Sequence, residues 1–277
     1  MNFRSEIEKF IQSNLQTYRD NSDRFIADYN RELELTKEYN GRQLLELLQN
    51  ADDATSSEVL IDWNKNNLKL TISNKGEPFE AGGIKSLMLA NLSTKTKISY
   101  IGNKGLGFRS ILNWAEQINI SSNGCTISFS EEIAKNVFNN QLDLSNDKKN
   151  LLRNDRNLSA ETIPFPVLAI PKIKETDNLS DWATSIEITY RKEFETDIEN
   201  QLSEIREEIL LFLNNIQKIT VQKGTELLEL NSSKERIENY EQVTIQNKKW
   251  KVFSKENVLP SEHQDKSKNE QQSYNLK

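Results

Sequence analysis

The sequence predicts an α+β protein, a two-layer sandwich in which helices cover one face of a mostly antiparallel sheet. Three observations lead to this prediction. Short segments rich in β-branched and aromatic residues recur along the chain, and a polar turn joins two of them into a hairpin. Longer segments carry apolar residues at three-to-four spacing, the pattern of helices with one buried side. Helices and a sheet with one apolar face each bury those faces against one another.

Composition narrows the class of protein. Of 277 residues, 35% are hydrophobic and 28% are charged, and the net charge is −6. The acidic balance argues against nucleic acid as a direct ligand, because proteins that coat phosphates are usually basic. Cys125 is the one cysteine and His263 the one histidine, so a disulfide framework, a cysteine zinc site and histidine-based catalysis have no support.

Residues 1–39 predict a helical extension of two segments, separated near the sequence RDNSD at 19–23. The first twenty residues contain acidic side chains and no apolar run, so they do not resemble a signal peptide. No stretch reaches the roughly 18 consecutive apolar residues that a membrane-spanning helix requires. We therefore expect a cytoplasmic protein with no membrane partner.

Residues 40–255 predict the main domain, which opens with a helix. Asn40 is the predicted N-cap, and Gln43 three residues later completes a capping-box arrangement. The segments 58–63 and 68–74, joined by NKNN, predict a β-hairpin. The pattern then predicts a loop at 75–83, a short helix at 84–92, a glycine-punctuated polar loop at 93–107 and a helix at 108–117.

The second half of the domain alternates strands with polar segments. Strands are predicted at 118–122, 125–130 and 184–190, with a polar surface segment at 139–159. Apolar residues that recur from Ile198 to Ile216 predict one amphipathic helix over about 195–215. A last pair of short strands is predicted at 218–223 and 248–254. Residues 256–277 predict a polar, disordered tail.

The first helix of the domain carries a line of polar side chains among its leucines. At helical geometry Glu46, Asn50 and Asp53 fall within a wedge about 60° wide. A solvent-facing stripe on an amphipathic helix explains this pattern. A binding site explains it equally, because a carboxylate within an apolar surface needs a partner, a ligand or a metal.

The glycine run GNKGLGF at 102–108 favours the binding site. Glycines let backbone N–H groups approach an anion, and the helix predicted directly afterwards adds the positive end of its dipole. Lys104 adds a point charge for phosphate. A magnesium–nucleotide site combines a phosphate cradle of this kind with oxygen ligands for the metal.

Four motifs in order resemble the GHKL ATPase superfamily, whose nucleotide-binding domain has the Bergerat fold. They are ELLQNADDA at 46–54, ISNKGEPF at 72–79, LSTKTKISYIGNKGLGFRSI at 92–111 and ATSIEI at 183–188. The likeness runs from about Tyr39 to Phe253 and is closest to the sacsin and NO VEIN branch, which has a similar lid and a later LLFL helix. This resemblance implies binding of ATP and Mg²⁺.

The resemblance also implies roles for the polar line. Glu46 is the general base that orients the attacking water, and Asn50 is the Mg²⁺ ligand one turn later. Asp53 lies on the pocket wall near the sugar or the adenine, with Ala54 packed against it. These residue types suit phosphoryl transfer, in which the protein mainly positions water and offsets charge.

The adenine-reading motif departs from the superfamily. Most members have Asp-x-Gly, whereas this chain has Asn74, Lys75 and Gly76. An Asn oxygen still accepts a hydrogen bond from adenine, but without the help of a charge. Thr184 matches the strand threonine that supports the same contact through water. Alternatively, Asn74 only ends a strand before a glycine turn, and Thr184 is only a β-former.

By the same resemblance the lid begins at Ser93, Thr94 and Lys95. When the lid closes, Lys95 or Lys97 reaches phosphate. Alternatively, these lysines are only solvated charges. The complete set of predicted nucleotide-binding residues is Asn50, Asp53, Ala54, Asn74, Gly76, Phe79, Ser93, Thr94, Lys95, Gly102, Asn103, Lys104, Gly105, Leu106, Gly107, Phe108 and Thr184.

Two functions remain open, both tied to ATP or ADP. In the first, the chain is a slow Mg-dependent ATPase whose nucleotide state controls a protein partner or client, in a chaperone-like or prokaryotic antiviral-defence system; a homodimer is also open. In the second, it is a nucleotide-binding scaffold that does not hydrolyse ATP. A histidine kinase is disfavoured because the sole histidine lies in the tail.

Overall fold

The computed structural model describes residues 2–38, 40–89, 107–154, 156–159, 162–176, 181–253, 255–256 and 275–276. Its helices are α1 (Phe3–Asp20), α2 (Ser22–Glu38), α3 (Gln43–Asp53), α4 (Ala81–Met88), α5 (Glu131–Asn140), α6 (Asn146–Asn154) and α7 (Glu195–Ser203). Short 3₁₀ helices lie at Lys65–Asn67, Gly107–Asn113, Lys192–Phe194 and Glu207–Leu211.

The strands are β1 (Glu58–Asn64), β2 (Lys69–Asn74), β3 (Ala115–Ser122), β4 (Cys125–Ser130), β5 (Lys172–Glu175), β6 (Thr184–Tyr190), β7 (Lys218–Lys223), β8 (Glu226–Ile237), β9 (Tyr240–Ile245) and β10 (Lys248–Val252). They form one ten-stranded sheet in the order β10-β9-β8-β7-β1-β2-β6-β3-β4-β5. Within the described strands every neighbouring pair is antiparallel except β1 and β7. A separate two-stranded pair joins β11 (Lys255–Glu256) to β12 (Asn275–Leu276).

The central strands bury one face of the sheet. In β1 the residues Val59, Ile61 and Trp63 are buried, whereas the residues between them are only half-buried. The strand β6 repeats this alternation, because Ser185, Glu187 and Thr189 lie on its more accessible face. The prediction of an α+β protein with a mostly antiparallel sheet is therefore confirmed.

Several predicted elements are also confirmed. The two N-terminal segments form α1 and α2, and β1 pairs with β2 as the predicted hairpin around a single 3₁₀ turn. The predicted strands at 118–122, 125–130 and 184–190 correspond to β3, β4 and β6. No helix in the described part of the chain combines the length and apolar character needed to span a membrane.

The single helix predicted over 195–215 is wrong. Helix α7 ends at Ser203, and after a break the chain forms only the 3₁₀ turn at Glu207–Leu211. The chain still buries the apolar residues that produced the helical pattern after the break, namely Ile205, Leu210 and Leu213.

After the 3₁₀ turn the helical path does not resume, because the backbone amides of residues 214–216 donate to a side chain of α3 instead of to preceding carbonyls.

The helix predicted at 108–117 is wrong as well. Residues Gly107–Asn113 form a 3₁₀ helix, and Ala115 already pairs with Tyr190 in the sheet. The apolar pattern alone predicts that the helix continues to residue 117, but from Ala115 on the chain pairs with β6 instead. The predicted N-cap also differs, because α3 begins at Gln43 after Arg42, while Asn40 Oδ1 accepts a hydrogen bond from Gln43 Nε2 at 2.8 Å.

The polar and exposed elements were missed. Helix α6 lies inside the segment predicted as surface loop, and β8 and β9 lie between the two strands predicted last. The sequence of β8 has weak alternation, and its Leu227 is 63% exposed, so no buried face marks it.

The carboxylate of Asp52 ties the end of α3 to the segment before β7. It accepts backbone hydrogen bonds from Asn214 at 2.8 Å, Asn215 at 2.6 Å and Ile216 at 3.0 Å. The Asn215 side chain returns a hydrogen bond to the Asp52 carbonyl at 2.8 Å. Because Asp52 is only 5% exposed, these four bonds lie largely outside water and fix α3 relative to the sheet.

We expect Asp52→Ala to lower the free energy of unfolding by about 2–4 kcal/mol, because three backbone amides lose a buried, charged acceptor. Asp53→Ala, which removes the neighbouring exposed carboxylate, serves as the matched control and should lower it by less than about 1 kcal/mol. Urea denaturation followed by circular dichroism measures both. Equal losses in the two variants would contradict the anchoring role.

Candidate functional site

Helix α3 places its polar line at the border between core and solvent. Glu46 and Asn50 are half-buried and Asp53 is exposed. The flanking Leu44, Leu47, Leu48 and Ala51 are buried, and they attach the opposite side of the helix to the core. The line is therefore accessible to a ligand while its helix is held rigidly.

The backbone of Gly107 lies directly against the side chain of Glu46. A Cβ atom placed on Gly107 would lie 1.9 Å from Glu46 Oε2 and 2.4 Å from its Cδ, so only glycine fits beside this carboxylate as it stands. Phe108, the next residue, is buried in the core. Gly107, the last glycine of the run, thus lies beside the polar line.

The remaining lid residues lie outside the described residues. These are the predicted positions Ser93, Thr94, Lys95, Gly102, Asn103, Lys104, Gly105 and Leu106, together with Lys97. Their roles stay predictions.

Three strand ends form a second polar group on the buried face of the sheet. Asn74 on β2 pairs with Thr184 on β6, and Thr184 pairs with Ser122 on β3. All three side chains are buried, and the Thr184 and Ser122 hydroxyl oxygens are 3.2 Å apart. Asn74 and Thr184, predicted from separate motifs, are therefore direct neighbours.

Sequence reasoning missed Ser122. It continues the buried alternation of Ile118 and Ile120 with a polar side chain, which is the signal that could have found it. Its Oγ accepts a hydrogen bond from the Phe79 amide at 3.0 Å and donates to the Ala183 carbonyl at 2.8 Å. Ser122 thus attaches the 75–80 loop to the sheet.

Gly76 joins this strand end to helix α3. A Cβ atom on Gly76 would lie 2.1 Å from the Ala54 carbonyl oxygen, and the amide of Glu77 donates to that same oxygen at 2.6 Å. Because the obstruction is backbone, no side chain can be accommodated without moving the chain. The predicted residues Ala54, Gly76 and Phe79 therefore lie along one connection between the site helix and the sheet.

Comparison with known proteins leaves the chain without an assigned family. No family model matches the sequence, and no curated protein matches it significantly. The likeness to GHKL ATPases therefore rests on the four short motifs, and every role taken from it stays a prediction.

Burial raises the pKa of Glu46 above its ordinary value, and the positive charge of Arg42 opposes this rise only in part. A carboxylate whose pKa moves toward neutrality is a better proton acceptor than an exposed glutamate. Its half-buried position beside Gly107 suits a group that holds one water molecule.

The oxygen atoms of the polar line can hold a metal only together with a ligand. No group of three His, Cys, Asp or Glu side chains suited to a metal ion occurs among the residues with described coordinates. Mg²⁺ commonly takes one or two protein oxygens and fills its octahedron with phosphate and water. The amide oxygen of Asn50 fits that kind of site.

Helix α2 supports the 107–113 segment from behind. Asn113 Nδ2 donates to the Thr36 carbonyl at 3.1 Å, and Thr36 Oγ1, which donates to the Glu32 carbonyl at 2.7 Å, lies 3.3 Å from the Arg109 carbonyl. Arg109 is buried, and its Nη2 donates to the Leu87 carbonyl at 2.8 Å. The N-terminal helices therefore contact the segment that touches Glu46.

Glu32, also on α2, is a buried carboxylic acid. Its carboxylate accepts hydrogen bonds from the amides of Val167 at 2.6 Å and Leu168 at 3.1 Å. Burial nevertheless raises its pKa from 4.5 to about 7, although these hydrogen bonds and the charge of Arg109 lower it.

This shift predicts a pH-dependent stability. Between pH 4.5 and 7 the unfolded chain releases the Glu32 proton while the folded chain retains it, so stability falls as the pH rises and levels off above pH 7. Relative to Glu32→Gln, the wild type should lose about 2–3 kcal/mol of unfolding free energy between pH 5 and pH 8. Urea titrations across this range measure it.

Glu34→Gln is the control, since Glu34 lies on the same helix with an exposed carboxylate. Glu34→Gln leaves Glu32 in place, so it should retain the fall in stability between pH 5 and pH 8. A wild type that gains stability over Glu32→Gln as the pH rises would contradict the raised pKa.

Proposed function

We propose that this chain is an ATP-binding domain of the GHKL type with the Bergerat fold, related to the sacsin-like branch, and that it hydrolyses ATP slowly. The observation that carries the proposal is the contact between Gly107 and Glu46, with Asn50 one helical turn away. A backbone segment rich in glycine, a carboxylate and an amide oxygen are the groups that a magnesium–triphosphate site requires.

Each residue of the site has a distinct task in this mechanism. Glu46 orients the attacking water and accepts its proton, helped by its raised pKa. Gly107 leaves room for the carboxylate and offers its backbone to the phosphates. Asn50 would hold Mg²⁺ through its amide oxygen. When bound, the metal supplies the charge that offsets the developing negative charge on the phosphates.

The support from α2 gives the nucleotide state a route to the surface. A change at Gly107 moves residues of the same 3₁₀ helix, whose Arg109 carbonyl and Asn113 side chain contact Thr36 of α2. We therefore place the response to ATP in the N-terminal helices, where a protein partner or a second copy would sense it. The chaperone-like or defence-type setting is a proposal from the resemblance alone.

A second candidate is a nucleotide-binding module that does not hydrolyse ATP. Asn74 favours it, because a neutral amide holds adenine less strongly than the carboxylate of most superfamily members. The two candidates differ in turnover and agree in binding.

The proposed function predicts that Mg-ATP stabilises the protein. At a free nucleotide concentration of 100 times Kd, the unfolding free energy should rise by about 2.7 kcal/mol, and EDTA should remove most of this gain. Thermal-shift titration with ATP and ADP measures it, with and without Mg²⁺. No shift at millimolar Mg-ATP would refute the binding claim.

Glu46→Gln should retain this thermal shift while phosphate release falls at least tenfold, since the base is lost and the shape is kept. Glu204→Gln, at an exposed position after α7, is the matched control and should turn over like wild type. Unchanged turnover in Glu46→Gln would refute Glu46 as the base, whereas ATP binding without turnover in the wild type would leave the scaffold as the better function.

Gly107→Ala separates the site from the fold. The added methyl group meets only the flexible end of Glu46, so stability should change by less than about 1 kcal/mol while the carboxylate is displaced. Turnover should then fall at least tenfold with the thermal shift retained. Gly82→Ala, where nothing lies within 4 Å, is the control and should keep wild-type turnover. Equal turnover in both variants would contradict this arrangement.

A further inference from the structure

The amide nitrogen of Asn74 is a buried donor without a partner. The residue is 6% exposed, and among the residues the structure describes Nδ2 meets no hydrogen-bond acceptor. Buried polar groups in folded proteins are normally paired, so a lone donor at a candidate site marks a place for a ligand atom. The backbone gives no substitute, because the Asn74 carbonyl already accepts from Ala183 at 3.0 Å.

The polar groups around this donor are uncharged. Thr184 and Ser122, which follow Asn74 across the sheet, carry hydroxyl groups that both donate and accept. The nearest cation along the chain, Lys75, pairs with Glu58 at 2.6 Å and lies over the Trp182 ring. Because the Ser122 hydroxyl already donates to the Ala183 carbonyl, the carboxamide of Asn74 is the group among these three strand-end side chains whose donor has no acceptor among the described residues.

A carboxamide and a carboxylate read the edge of a purine differently. Adenine presents a donor, the N6 amino group, beside the acceptor N1, and guanine presents the acceptor O6 beside the donor N1–H. A carboxamide has one acceptor and one donor, and a half-turn about its last bond exchanges them. It therefore matches both edges in a single pose. A carboxylate has two acceptors and no donor, so it makes one of the two bonds with either base and opposes adenine N1 or guanine O6 with its second oxygen.

We propose that Asn74 makes this a site for purine nucleoside triphosphates in general, binding Mg-GTP as well as Mg-ATP. The inference rests on the proposed function, since it concerns the base of the same nucleotide. Asn74 is then the residue that determines specificity. Its free Nδ2 bonds to adenine N1 in one orientation and to guanine O6 in the other.

Calorimetry on the full chain at saturating Mg²⁺ tests this with ATP and GTP. The two dissociation constants of the wild type should agree within about tenfold. Asn74→Asp removes the donor that serves adenine N1 and guanine O6 alike, so both nucleotides should weaken at least tenfold. Asn74→Leu keeps the shape without hydrogen bonds and should weaken both nucleotides to a similar extent. Ser73→Ala is the neighbouring control on the opposite face, where Ser73 pairs with Ser185, and it should keep the wild-type ratio.

The outcomes separate the two proposals. Tight binding of ATP with GTP more than about 100-fold weaker in the wild type would overturn the purine inference and leave the ATP proposal standing. Binding of neither nucleotide would overturn both. An Asn74→Asp variant that is folded by circular dichroism and keeps the wild-type affinity for both nucleotides would show that another residue reads the base. The wild-type ratio decides the main point even where a variant does not fold.

Discussion

The buried carboxylate of Asp52 is the interaction on which the arrangement of the domain depends. It lies at the end of α3, the helix that carries Glu46 and Asn50, and takes up three amides of the segment leading into β7. On the same helix end, the Ala54 carbonyl receives the Glu77 amide beside Gly76. One helix terminus thus meets both the loop after β2 and the entry to β7. These bonds fix the position of the polar line relative to the sheet. Hydrogen bonds to a charged carboxylate are strong, so the helix that carries it has little freedom to rotate or shift.

Sequence patterns predicted the parts of this structure whose cause is local. The hairpin of β1 and β2, the two N-terminal helices and the three strands β3, β4 and β6 all show strong periodicity or turn signals, and all are present. The failures have non-local causes. The predicted helix continues past Ser203 only as a 3₁₀ turn, after which Asp52 binds the amides of residues 214–216, and the helix predicted after Gly107 gives way to pairing with β6. Neither competitor lies near these segments in the sequence.

The candidate site divides in the same way. Motif order was enough to relate Glu46, Asn74, Gly76, Gly107 and Thr184, and the structure brings Gly107 to Glu46 and Thr184 to Asn74. Ser122 was missed although it continues the buried alternation of its strand, because its importance comes from contacts with Phe79 and Ala183 that the alternation does not show. The support from α2 was missed for a similar reason, since Glu32 meets residues more than a hundred positions later. Contacts of this kind follow from the fold and leave no local pattern.

The parallel pairing of β1 with β7 has a consequence for how the chain folds. Glu58 of β1 pairs with Lys218 of β7, so about 160 residues must be organised before this contact forms. The strands β1 to β6, with the helices between them, can assemble before β7 arrives. The β7–β10 meander joins by local antiparallel contacts and then docks as a unit. Until the meander docks, β1 has one unpaired edge, and its apolar residues Val59 and Ile61 lie next to that edge. The nascent chain is therefore most exposed to aggregation before this step.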